Sequence, residues 1–118
     1  MNKPDTAARD KITQEMWKDL HLHILDHEDG KNDEKYLLTW SKRLPRFVSG
    51  CSCREHWRNW YATAANKPDF KTVDSYFAWS VKAHNSVNAR NKKREWTVEE
   101  AKEYYTKLKA SIKAVEKK

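Results

Sequence analysis

Residues that interrupt helices are scarce in this chain. It holds two glycines and three prolines among 118 residues, so few tight turns and few left-handed backbone positions are available. No stretch alternates apolar and polar residues over the length of a strand, and no apolar run approaches membrane-spanning length. These absences exclude a sheet protein and a helical membrane protein. No signal peptide or transit sequence is read at the N-terminus, so an intracellular setting is expected. Two cysteines, Cys51 and Cys53, cannot build a disulfide scaffold; any bridge between them is local. There is no internal repeat and no low-complexity segment.

What the chain does have is positive charge and aromatic rings. Lys and Arg number 24 against 17 Asp and Glu, a formal net charge of +7. Such a balance favours an anionic partner: nucleic acid, a phosphate-bearing cofactor or an acidic protein. Arg90, Lys92, Lys93 and Arg94 form one basic cluster, and Lys107, Lys109, Lys113, Lys117 and Lys118 decorate the tail. Hydrophobic content is only 38%, but six tryptophans, five tyrosines and three phenylalanines bury large areas each, so a modest core can rest on them. The length suits one domain.

Apolar spacing predicts five helices. The first covers about 13–27, with Ile12, Met16, Trp17, Leu20, Ile24 and Leu25 on one stripe, and Asp29-Gly30-Lys31-Asn32 ends it. The second covers about 33–44, with Tyr36, Leu37, Trp40 and Leu44 in register, and is stopped by Pro45. The third begins near Cys53 and carries His56, Trp57, Trp60, Tyr61 and Ala64. The fourth covers about 72–92. The fifth opens on Thr97-Val98-Glu99-Glu100, a capping-box pattern, and continues with Ala101, Tyr104, Tyr105, Leu108, Ile112 and Val115 as its stripe. The expected architecture is all-α: a compact bundle of four main helices plus one shorter fifth. Residues 1–11 are expected to be a flexible segment ahead of a single helical domain over 12–118.

Helix four is apolar at its start and polar at its end on the same face. His84, Asn88 and Asn91 follow Phe77 and Val81 at helical spacing, with Asn85 beside them. An inward His/Asn cluster is costly to desolvate unless something bonds it. The partner is either another side chain or a polar ligand between helices. His21, four residues after Trp17, poses the same question on helix one.

The cysteines sit one residue apart in Gly50-Cys51-Ser52-Cys53-Arg54-Glu55-His56-Trp57. Two thiols so close to a histidine suggest redox chemistry or metal binding, and a helix N-terminus with Arg54 and His56 favours the thiolate. The plainer reading is a pair of small buried residues at a helix start. A zinc set of Cys51, Cys53 and His56 would need a distant fourth ligand such as His21, His23 or His84, at a spacing unlike that of zinc motifs, and no metal ligands are assigned.

Three motifs together resemble the Erv/ALR family of FAD-dependent sulfhydryl oxidases. Trp17-Lys18-Asp19-Leu20-His21 is similar to its W-x-x-L-H, Cys53-Arg54-Glu55-His56-Trp57 to the second half of its C-x-x-C-x-x-H-aromatic, and His84-Asn85-Ser86-Val87-Asn88 with Lys93 to its H-N-x-V-N-x-x-L-x-K. Leu44-Pro45 ahead of the cysteines also agrees. The resemblance spans about 12–106 and is closest to the small stand-alone members encoded by large DNA viruses, for which host cytoplasm is the expected setting. It implies a helical bundle holding FAD beside a redox-active disulfide. Trp17 and His21 would line the cofactor site from helix one, and His56 and Trp57 would flank it. His84, Asn85, Val87 and Asn88 would contact it from helix four, with Lys93 toward the phosphates. Cys51 and Cys53 would be catalytic, forming disulfides in a dithiol protein client or a thioredoxin-like partner, with oxygen as the electron acceptor. A homodimer is expected and a membrane is not.

The chain departs from the pattern in three places. Ser52 alone separates the cysteines, which puts Gly50 where the family has its first cysteine. Asn91 replaces the usual leucine, and Ile12-Thr13-Gln14 replaces the usual W-G start. These departures and the basic charge motivate the alternative: a helical module of the same fold without oxidase activity, binding nucleic acid or protein through phosphate contacts and exposed tryptophans.

Overall fold

The computed structural model describes residues 4–46, 51–90 and 93–116, with side chains at 11–45, 54–63, 65–89 and 93–115. Among the described residues all regular structure is helical: α1 (Pro4–Leu25), α2 (Glu34–Arg43), α3 (Cys51–Ala62), α4 (Val73–Arg90) and α5 (Val98–Glu116). Short 3-10 turns at Leu44–Arg46 and Ala64–Asn66 follow α2 and α3. The expected all-α architecture of five helices is what forms.

Local chemistry sets the helix limits. α1 starts at Pro4, ahead of its apolar stripe, with proline at the position where a missing N–H costs nothing. After α1 the chain turns through Gly30, whose φ of 76° suits a residue without Cβ, and its N–H bonds the Phe70 carbonyl at 2.7 Å. The N-terminus of α4 is satisfied twice. Thr72 Oγ1 accepts from the Ser75 N–H at 2.9 Å, and Asp29 Oδ1, from the turn after α1, accepts from the Val73 N–H at 2.6 Å. The capping box before α5 is reciprocal: the Glu100 N–H donates to Thr97 Oγ1 at 3.1 Å and the Thr97 N–H to Glu100 Oε1 at 3.0 Å.

α1 packs on α4 and α5, and α3 on α4. Leu20, Ile24, Leu37, Leu44, Trp57, Tyr76 and Phe77 are fully buried. Aromatic rings carry much of this core. Trp17 meets Trp40 and Trp57 edge-on, with centroids 4.8 and 5.7 Å away. Two buried indole N–H groups are satisfied at helix carbonyls. Trp40 donates to Met16 O at 3.1 Å, and Trp57 to Ser41 O at 3.2 Å and Ser41 Oγ at 3.1 Å. None of the six tryptophans is exposed; Trp60 and Trp96 are half-buried and the other four buried.

The stripe predicted on α5 faces inward only in part. Ala101 is buried and Tyr105 half-buried, but Tyr104 and Val115 are 51% and 71% exposed. Lys109 pairs with Asp26 and donates to the carbonyl of Leu25, where α1 ends. Past that point α5 has no α1 surface to lie on.

Trp57→Ala is expected to destabilise the fold by about 3–5 kcal/mol through the cavity it leaves. Trp57→Phe, which strands the Ser41 acceptors, is expected to lose about 1–3 kcal/mol. Urea unfolding of the two variants checks this order.

Candidate functional site

The polar half of the α4 face opens on a cavity of about 650 Å³ between α1, α4, α5 and the segment 93–97. That volume suits a cofactor-sized ligand. His21, His84, Asn85, Asn88 and Lys93 all line it, so five positions chosen from sequence come together in one place. Lys11, Lys18, Lys93 and Arg94 contribute positive charge to its walls, and among the described residues Glu15 is the one lining carboxylate, paired with Lys18 at 2.7 Å. Trp96, Tyr104 and Tyr105 add ring surfaces.

A directed chain of hydrogen bonds runs from the core to this cavity. Ser80 Oγ lies 2.6 Å from the Phe77 carbonyl, which only accepts, so the hydroxyl proton points there. Ser80 Oγ therefore accepts from His21 Nδ1–H at 2.9 Å. That tautomer leaves His21 Nε2 as an acceptor for His84 Nδ1–H at 3.3 Å. His84 in turn keeps Nε2 as an acceptor. The tautomers follow from the partners. Burial pushes His21 down to about 3, helped by the neighbouring His84. Burial likewise takes His84 to about 4, with Lys93 adding to the fall. Both rings are neutral at pH 7, as the chain requires. Trp17 lies flat against His84, with centroids 4.3 Å apart and planes 3° from parallel, and fixes the ring from behind.

Asn85 does a different job from its neighbours. Its Nδ2 donates to the Trp96 carbonyl at 2.7 Å and its Oδ1 accepts from the Trp96 N–H at 2.9 Å. The side chain thus clamps the segment 93–97 onto α4. The Lys93 N–H bonds the Asn88 carbonyl at 2.8 Å, and Arg94 sits 4.9 Å from the Trp96 ring centroid while pairing with Glu100. These bonds hold the two cations beside the cavity.

The remaining sequence-chosen residues stand behind or apart from the cavity. Trp17 lies beneath His84, and Trp57 one ring further toward α3. Val87 packs against the core. His56 is on α3, and its buried Nε2 has no hydrogen-bond partner among the described residues. Cys51 and Cys53 open α3, but their side chains lie outside the described residues, as do Asn91 and Gly50. Sequence reasoning missed Ser80, Lys11 and Lys18. Ser80 sits one turn before His84 on the same face, and Lys11 and Lys18 are seven apart on α1, so helical spacing carried the signal for all three.

A family model described as the Erv1 / Alr family matches residues 14–106. No curated protein and no solved structure matches.

The two neutral histidines predict a pH dependence. Their folded values lie below the unfolded value of about 6.5, so the unfolded state binds more protons and stability falls as pH drops through that window toward 4 and then 3. Each proton contributes a slope of about 1.4 kcal/mol per pH unit. Urea midpoints between pH 7 and 4.5 should fall less steeply in a His21→Asn/His84→Asn variant than in the natural chain.

Proposed function

The chain belongs to the Erv1/Alr family, whose members are in general FAD-linked sulfhydryl oxidases, and on that premise we propose that it is an FAD-dependent thiol oxidase forming disulfides in protein clients. The donor set of the cavity carries this reading. Lys11, Lys18, Lys93 and Arg94 suit a pyrophosphate, the rings of His84, Trp96, Tyr104 and Tyr105 suit flat heterocycles, and the buried Asn88 amide suits a polar edge. The residues present therefore fit FAD.

In this reading His84 offers its free Nε2 to a donor on the cofactor, and Trp17 keeps the imidazole plane fixed. Trp57 and Trp17 fill the space between α3 and the cavity and exclude water. A client thiolate attacks the Cys51 sulfur of a Cys51–Cys53 bridge, which gives a mixed disulfide and releases Cys53 as a thiolate. The client's second thiolate then displaces Cys51, leaving an oxidised client and a reduced cysteine pair. The N-terminus of α3 favours the negative charge that develops there. The chemistry FAD supplies when bound is transfer of the pair's two electrons to oxygen, giving hydrogen peroxide. No further cysteine exists in the chain to act as a shuttle, so electrons enter directly from a client, a thioredoxin-like partner, or the cysteine pair of a second copy in a homodimer.

The atypical spacing has a backbone consequence. α3 is helical from Cys51, and positions two apart on a helix do not face each other. A Cys51–Cys53 bridge therefore requires the first turn of α3 to leave helical geometry, and a bridge formed that way is easily reduced.

The test is the visible spectrum of the purified protein. Bound flavin that bleaches with a dithiol and recovers in air supports the oxidase. A colourless protein that does not take up FAD would leave the binding-module alternative, for which salt-dependent retention on DNA is the readout. Cys53→Ser is expected to keep the flavin and lose its reduction by thiols. Lys93→Ala is expected to weaken FAD binding about two- to tenfold, measured by flavin fluorescence.

A further inference from the structure

A second cluster of ligating side chains lies away from the cavity, where the turn after α1 meets the start of α2. His23, His27 and Asp33 each offer one ligand atom there, and these atoms lie within 4.8 Å of one another. None of the three lines the cavity. The side chains are largely sheltered: His27 is 11% exposed, Asp33 14% and His23 33%.

The hydrogen bonds around them follow the pattern of a metal centre. His27 Nε2 lies 2.7 Å from the Lys31 carbonyl, which only accepts, so Nε2 carries the proton. In the neutral ring Nδ1 is then a bare lone pair, and it faces Asp33 Oδ2 at 4.0 Å. A lone pair opposite a carboxylate oxygen, too far for a hydrogen bond, is an arrangement that a cation completes. The Nε2–H bond to a backbone carbonyl is also the usual outer contact of a metal-ligating histidine. Asp33 Oδ2 has such an outer contact too, from Tyr76 O–H at 2.6 Å. His23 Nε2 is 2.7 Å from the same oxygen. A zinc ion held by both atoms at about 2.0–2.2 Å would replace the proton between them and move the two atoms apart. Tyr36 stacks on the His23 ring at 3.7 Å and holds its plane.

The backbone that carries these groups is tethered independently of them. The Gly30 N–H bonds Phe70 O, and Asp29 Oδ1 accepts from the Val73 N–H. The turn is thus shaped before any ion arrives.

We propose that His23, His27 and Asp33 bind a divalent transition-metal ion of the zinc type, joining the end of α1 to the start of α2. Two imidazoles and a carboxylate are ligands that zinc accepts at about 2.0–2.2 Å, with the fourth position left to water. On binding, His23 moves its proton to Nδ1 and gives Nε2 to the metal. His27 keeps its Nε2–H bond to Lys31 and gives Nδ1. This proposal stands apart from the oxidase reading and uses none of its residues.

The experiment is calorimetric titration of zinc chloride into untagged protein carrying Cys51→Ser and Cys53→Ser, so that no thiol competes. One equivalent bound with micromolar or tighter affinity is expected. His27→Ala and Asp33→Asn, each added to that background, are expected to weaken it at least tenfold. Nitrogen-15 spectra of the imidazoles give a second readout that needs no further variant: zinc should shift His27 Nδ1 while His27 Nε2 stays protonated. Zinc binding that is weaker than micromolar, or not stoichiometric, overturns the site. So does binding that leaves His27 Nδ1 unmoved, or that persists unchanged in a folded His27→Ala protein.

Discussion

Ser80 gives its single proton to the Phe77 carbonyl, and the polar end of the core is ordered by that choice. His21 can then only donate to Ser80, His84 can only donate to His21, and an acceptor nitrogen is left on the cavity side. A hydroxyl turned the other way would reverse each bond and leave two oxygens 2.6 Å apart with no proton between them. Burial keeps both imidazoles neutral, so the order does not depend on a nearby charge. The flat contact of Trp17 with His84 belongs to the same arrangement, because a ring that could rotate would break the chain at its exposed end.

The aromatic core and the polar cavity share residues. Trp17 touches Trp40 and Trp57 on one side and His84 on the other. With few aliphatic residues to draw on, the chain fills the space where α1, α2 and α3 meet with indoles, and Trp40 and Trp57 donate their N–H groups to the carbonyls of Met16 and Ser41. This packing links the cysteine-bearing helix to the cavity through the rings of Trp57, Trp17 and His84. The Lys93–Arg94 side of the basic wall is a separate construction, suspended from α4 by the Asn85 amide, while Lys11 and Lys18 come from α1.

Much of this was legible in the sequence because it is helical. Phe77, Val81, His84 and Asn88 repeat at helical spacing, and the structure puts all four on the buried side of α4 or at the cavity. The Thr97–Glu100 cap is local chemistry and formed as read. The fifth stripe was over-read: periodicity marks a face but not the end of the surface that covers it, and α1 ends beside Lys109. Asn85 was chosen for its position, but its bonds to Trp96 depend on how the chain returns after α4, which no spacing encodes. His23, His27 and Asp33 were invisible as a group for the same reason. They meet only because the turn containing Gly30 folds back on the chain.

The Asn85 clamp also says which changes the segment before α5 can accommodate. Asn85 grips the main chain of Trp96 and not its side chain, and Asn88 grips the main chain of Lys93. Neither grip reads the identity of the residue it holds. Both read the number of residues between the end of α4 and the holding point. The Trp96 ring keeps its own place beside Arg94 and the cavity, but the grips depend on spacing alone: an insertion or deletion of one residue between 88 and 96 would put the wrong peptide group in at least one of them.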